Sequence, residues 1–212
     1  MANKPRTKVT GLARMQAALG LLFGAYLVFH IWQQWPAVIS TDAWLERARN
    51  AALPGPLKLA LAAVAIGHVL LGALRLRLGP HPADDAYDAG MRRLQLFFGG
   101  LVLVFLAVHL PLVRWTPGPA STVLDVHSRL TGQVGTPLLM LVHLVGLAAA
   151  CGHLALGLGR AAATFGLVRD PRPVYVAGAL AAGFLFFQGL QVLAVFAIGE
   201  PLIPFLSPTW QP

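Results

Sequence analysis

Apolar residues along this chain fall neither in a two-residue alternation nor in a one-faced helical stripe. They form five nearly unbroken runs, at about 15–35, 57–76, 94–115, 136–158 and 174–198. Each run holds roughly 20 residues, the length a helix needs to cross the hydrocarbon core of a bilayer. The runs are rich in Leu, Ala, Val and Gly without the dyad repeat of a membrane barrel strand. The pattern predicts an all-α membrane protein of five transmembrane helices, a single domain over residues 1–212. Polar residues and prolines are confined to the connections. The first connection carries Pro36, Asp42, Glu46, Arg47, Arg49, Pro54, Gly55 and Pro56 and predicts a short amphipathic helix at about 41–52. Thr116 to Arg129 reads as a second outer loop, and residues 79–90 as a turn rich in Pro and Asp on the opposite side. No internal repeat or low-complexity tract is evident.

Composition agrees with the pattern. The 212 residues are 57% hydrophobic and 11% charged, with mean hydropathy +0.67, too little polar surface for a water-soluble domain of that size. The net charge of +8 follows the membrane rather than forming a basic stripe with stacking aromatics. Lys4, Arg6, Lys8 and Arg14 precede the first helix, Arg75, Arg77, Arg92 and Arg93 flank the second connection, and Arg160, Arg169 and Arg172 flank the fourth. Eleven of the sixteen basic residues thus share one side. The positive-inside rule places that side, with the N-terminus, in the cytoplasm and the C-terminus outside. The first run is too long for a cleaved signal and lacks a clear cleavage site. One cysteine, Cys151, cannot form a disulfide within the chain or ligate an iron–sulfur cluster by itself.

Four histidines lie inside the apolar runs, His30, His68, His109 and His153, and an imidazole in hydrocarbon is costly unless it has a partner. Counting at about 1.5 Å per residue puts His30 and His109 ~23 Å from the cytoplasmic end, and His68 and His153 ~10 Å from it. Each pair comes from two parallel helices that can face each other across a bundle, as cofactor ligands do. Taken singly, each histidine is equally well explained by a bond to a neighbouring helix. The matched depths favour two bis-histidine haems, which leave the iron no open position and so favour electron transfer over oxygen chemistry. Gly67, Gly152, Gly24, Gly99 and Gly100 would let a flat macrocycle approach the backbone, although close helix packing also uses glycine. His143 shares the outer depth, as a rival ligand to His109 or His30 or as a hydrogen-bonding partner. His127 is a candidate for a propionate or quinone site or a solvated loop residue, and His81 reads as an exposed turn residue.

The stretch Arg92, Arg93, Leu94, Gln95, Gly99, Phe105 and His109 resembles the third helix of the di-haem cytochrome b subunit of succinate:quinone oxidoreductases, the succinate dehydrogenases and fumarate reductases. The fourth helix is similar too, through His153, Leu154, Gly157, Leu158, Thr164, Phe165 and Gly166, as are Val9, Thr10, Gly11 and the position of His30. Leu156 stands where the family often has Asn, and the fifth helix carries no matching motif. The resemblance implies a membrane anchor whose first four helices form a bundle holding two haem b groups. It pairs His30 with His109 at the outer haem and His68 with His153 at the inner one, the pairing that the depths give. It also implies a flavoprotein subunit with FAD, an iron–sulfur subunit, and a membrane quinone as substrate, menaquinone rather than ubiquinone. The location is then a bacterial inner membrane.

A quinone site needs donors for its carbonyls and a proton route. Gln33, Gln34, Asp42 and Glu46, with His127 opposite and His143 nearby, are candidates for an outer site, in which Asp42 or Glu46 carries protons, the alternative being that both acids simply solvate a loop. Arg92, Arg93 and Gln95 offer a cytoplasmic alternative. Gln188 and Gln191 are polar groups at helical spacing in the fifth run, and Trp32, Trp35, Trp44 and Trp115 read as an interfacial belt. Other classes are the five-helix di-haem subunit of respiratory nitrate reductase, whose fifth helix supplies ligands, and a non-haem transporter. The fifth run here holds no histidine, and no run shows paired Gly/Pro breaks at its middle.

Overall fold

The computed structural model describes residues 11–50, 53–77, 86–114 and 123–203, and these are helical with no strand among them. Five helices are long and apolar enough to cross a membrane: α1 (Gly11–Gln34), α3 (Gly55–Arg77), α4 (Ala86–Arg114), α6 (Pro137–Thr164) and α7 (Arg172–Ile198). Two shorter ones, α2 (Thr41–Asn50) and α5 (Val123–Val134), lie in the connections. The chain is a multi-pass membrane protein. Its outward apolar side chains make the point: Leu59, Leu138 and Leu180 are 71%, 71% and 73% exposed, a surface whose matching solvent is hydrocarbon.

The centre of the fold is α6, which packs against α4, α7 and α1, while α3 packs against α1. Small residues on α6 set these distances. Gly146 receives the ring of Phe105, and a Cβ at Gly178 of α7 would lie 2.9 Å from the Ala155 carbonyl oxygen. The buried seam of Ile31, Cys151, Ala155, Ala182 and Leu185 therefore runs between α1, α6 and α7. α3 and α4 flank it without packing closely on each other, so the first four spanning helices form a quartet closed on one side and backed there by α7. This gives the motif-free fifth run a packing role.

The second outer loop is corrected. Residues 123–134 form α5, because Val126, Leu130 and Val134 recur at helical spacing and pack on a buried cluster of Ala37, Val38, Trp44, Leu45, Val192 and Phe196. The short helix at 41–52 is present as Thr41–Asn50. Ser40 caps it by accepting from the Ala43 N–H (3.1 Å), and Asp42 in the first turn with Arg47 and Arg49 in the last complement its dipole. Trp44 also departs from the expected belt: it is 4% exposed and donates its Nε1–H to Gln34 Oε1 (2.9 Å). Trp32 stays exposed, with the Arg47 guanidinium 5.9 Å from its ring centre. His81, Trp115 and the chain beyond residue 203 lie outside the described residues.

A second correction concerns repeats. Arg14, Gln16, Gly20, Tyr26 and His30 of α1 recur at one constant offset as Arg93, Gln95, Gly99, Phe105 and His109 of α4. Gly67, His68, Gly72 and Arg75 of α3 recur likewise as Gly152, His153, Gly157 and Arg160 of α6. The fold uses both sets the same way, since α1 packs on α3 as α4 packs on α6. The repeat is hard to see in the sequence because interchangeable apolar residues fill the positions between its marks.

Candidate haem sites

His68 and His153 project from α3 and α6 into one place, with ring centres 6.1 Å apart and planes at 84°. Each imidazole is fixed by the helix its own helix packs on. His68 donates its Nδ1–H to the Gln16 carbonyl (3.0 Å), and His153 donates its Nδ1–H to the Gln95 carbonyl (3.0 Å). One turn further on, each ring meets a glycine. A Cβ at Gly20 would lie 2.7 Å from His68 Cε1, and one at Gly99 3.0 Å from His153 Cε1. Two equivalent half-sites result. In each, a Gln–x–x–x–Gly turn supplies a carbonyl to hold the ring and a surface without a side chain to admit it.

This arrangement passes a chemical test for haem. Donation from Nδ1 leaves Nε2 with its lone pair, the tautomer and second-shell bond that metal-bound histidines have. An imidazole nitrogen sits about 2 Å from a bound transition metal and its ring centre about 1 Å beyond, so two axial rings across one iron have centres about 6 Å apart. The observed separation agrees. No group of three or more His, Cys, Asp or Glu side chains able to hold a metal ion occurs among the described residues, and an axial pair needs only two. Seven residues past each histidine lies an arginine. Arg75 donates from Nη1 to Gln16 Oε1 (2.8 Å), whereas Arg160 has its Nη1 buried without a hydrogen-bond partner among the described residues. A cationic nitrogen so placed suits a carboxylate such as a haem propionate.

In the outer layer, His30 stacks with Tyr26 (5.7 Å, 29°) and His109 with Phe105 (4.9 Å, 29°), matching the repeat. His143 is buried and engages His109 directly, Nε2 to Nδ1 at 3.3 Å, while its own Nδ1–H goes to the Leu139 carbonyl (2.7 Å). His143 thus stands in hydrogen-bonding contact with His109.

Of the residues read as a quinone site, Gln33, Asp42, Glu46 and His127 lie on the end of α1, on α2 and on α5, elements that pack on one another. Asp42 and Glu46 are exposed on α2, and Gln33 is half-buried near the end of α1. His127 belongs to α5, its ring set against Trp44 (5.3 Å) and Phe196 (5.4 Å), and partial burial pushes its pKa below the usual imidazole value. Arg92 and Arg93 lie in the N-terminal part of α4, and Gln95 serves His153 through its carbonyl. Gln191 is fully buried and accepts from the Ile203 N–H (3.2 Å), tying the C-terminal segment back to α7. Sequence reasoning overlooked Gln16 and Gly20. Their signal was the recurrence of Arg–x–Gln–x–x–x–Gly ahead of a histidine in both the first and third runs. No protein-family model, curated protein or solved structure matches the chain.

Proposed function

We propose that the chain is the di-haem b membrane anchor of a bacterial succinate:quinone oxidoreductase, passing electrons between an iron–sulfur subunit and a membrane quinone. The observation that carries the reading is the His68–His153 pair: two imidazoles with free Nε2 atoms, held by equivalent carbonyls at the separation an axial pair needs. His30 and His109 are the outer pair. Bis-histidine haem supplies one-electron transfer without an open coordination position. The protein's part is to fix the four rings, shield them with α7, and offer Arg160 to an inner propionate. Succinate or fumarate chemistry belongs to a flavoprotein partner with FAD, as the resemblance implies. The basic ends Arg14, Arg75, Arg93 and Arg160 mark the cytoplasmic side on which that partner docks. Menaquinone, as the resemblance implies, is the quinone.

The test is a reduced-minus-oxidised spectrum of the purified protein, expected to show a b-type α-band with about two haems per chain. A colourless preparation from haem-replete cells sinks the proposal. Co-purification with a flavin-containing and an iron–sulfur subunit separates this anchor from the cytochrome b of another quinone-linked enzyme.

A further inference from the structure

The two histidine layers differ in one respect that the repeat does not explain. His68 and His153 give their Nδ1–H to main-chain carbonyls of the neighbouring helix. His109 instead gives its Nδ1–H to a second imidazole, His143. The donor–acceptor order is fixed, because His143 spends its own Nδ1–H on Leu139 and presents only a lone pair at Nε2. Phe105 braces both rings, stacked on His109 and edge-on to His143 (5.6 Å, 81°). Gly146, three residues past His143 on the same helix, admits the Phe105 ring where any side chain would collide. At the offset that superposes α3 on α6, the position of His143 is taken by Lys58, which is exposed. The device therefore exists in one half only.

We propose that His143 is a positioning residue for the outer haem, holding His109 in the Nδ1–H tautomer with Nε2 directed to the iron and making that ligand more basic. The proposal rests on the haem reading above. A hydrogen-bonded partner behind a metal-bound histidine raises its basicity, and its loss typically lowers metal affinity about 10- to 100-fold. A more basic axial ligand favours ferric over ferrous iron, so removal of His143 shifts the outer potential upward.

The experiment is an optical redox titration with low-temperature EPR on the purified full-length protein and its His143→Leu, His143→Gln and His109→Ala variants. His143→Leu is expected to weaken outer-haem affinity about 10- to 100-fold, so that part of the outer haem is lost on purification, and to raise the midpoint potential of what remains, with the inner haem unchanged. His143→Gln, whose amide oxygen can accept from His109, restores occupancy and moves the potential back towards wild type. The proposal is overturned if His143→Leu leaves the outer occupancy and potential as they were. It is equally overturned if His143→Leu abolishes the outer haem while His109→Ala keeps it, which makes His143 the ligand, or if both His143 variants lose both haems, which makes the role structural. A wild type without haem overturns the haem reading and this proposal together, an outcome distinct from an unaltered outer haem in a two-haem protein.

Discussion

Gln16 and Gln95 hold equivalent places in the two halves of the bundle, each offering its main-chain carbonyl to the Nδ1–H of a histidine at 3.0 Å. The bond comes from the backbone, so the glutamine side chain is free for a separate task. In the first half that task is visible, since Gln16 Oε1 accepts from Arg75.

Ligand variants give the most direct check on the pairing. His68→Ala and His153→Ala are each expected to remove the same haem, and His30→Ala and His109→Ala the other, taking the content from about two to about one per chain. Pyridine haemochrome assay with redox titration distinguishes the two losses. If His68 and His153 variants retain different haems, the pairing is wrong.

Gly20 and Gly99 should tolerate no side chain. At Gly20→Val or Gly99→Val the new Cβ meets the imidazole, and such overpacking costs about 1–3 kcal/mol. Inner-haem content is expected to fall while the outer haem persists. Gly183→Ala on α7 is the control, because nothing lies within 4 Å of a Cβ there; haem content equal to wild type is the expected result.

The cap formed by α2 and α5 makes a prediction that does not involve haem. Trp44→Phe keeps most of the buried ring but loses the bond to Gln34, a loss of about 1 kcal/mol. Trp44→Ala empties the cluster and should cost about 3–5 kcal/mol. Thermal unfolding in detergent, with limited proteolysis of the connections that hold α2 and α5, ranks the three proteins. Equal resistance in all of them contradicts the packing.

His127 gives this cap a pH response. Burial lowers its pKa in the folded protein, so the folded state favours the neutral ring and the unfolded state takes up the proton first. Stability is full above the ordinary histidine pKa of about 6.5 and declines as pH falls through the lower folded value. Tryptophan fluorescence between pH 8 and 5 should report loosening around Trp44 on acidification. His127→Gln should flatten that profile, and an unchanged profile in the variant would exclude His127 as the cause.

The spans were legible because length and hydropathy determine them almost alone. Terminal turns were less so: α4 begins at Ala86 and α6 runs to Thr164, as helices continue past hydrocarbon into residues that hydropathy reads as connection. α5 was missed because its stripe of Val126, Leu130 and Val134 is short and interrupted by polar residues. Within the candidate sites, depth arithmetic matched His68 with His153, since rise along a helix is fixed. It could not separate His109 from His143, which share a depth and differ in the direction each ring nitrogen faces. The carbonyls of Gln16 and Gln95 carry no side-chain signature at all.

Division of the inner site into two like half-sites has a consequence for biogenesis. Each helical hairpin, α1 with α3 and α4 with α6, presents one correctly turned imidazole and lacks the second. On the proposed haem reading, neither hairpin would retain an axially paired cofactor until the other had entered the membrane and docked. Cofactor capture would then act as a checkpoint on assembly, marking the moment when both hairpins have met in register.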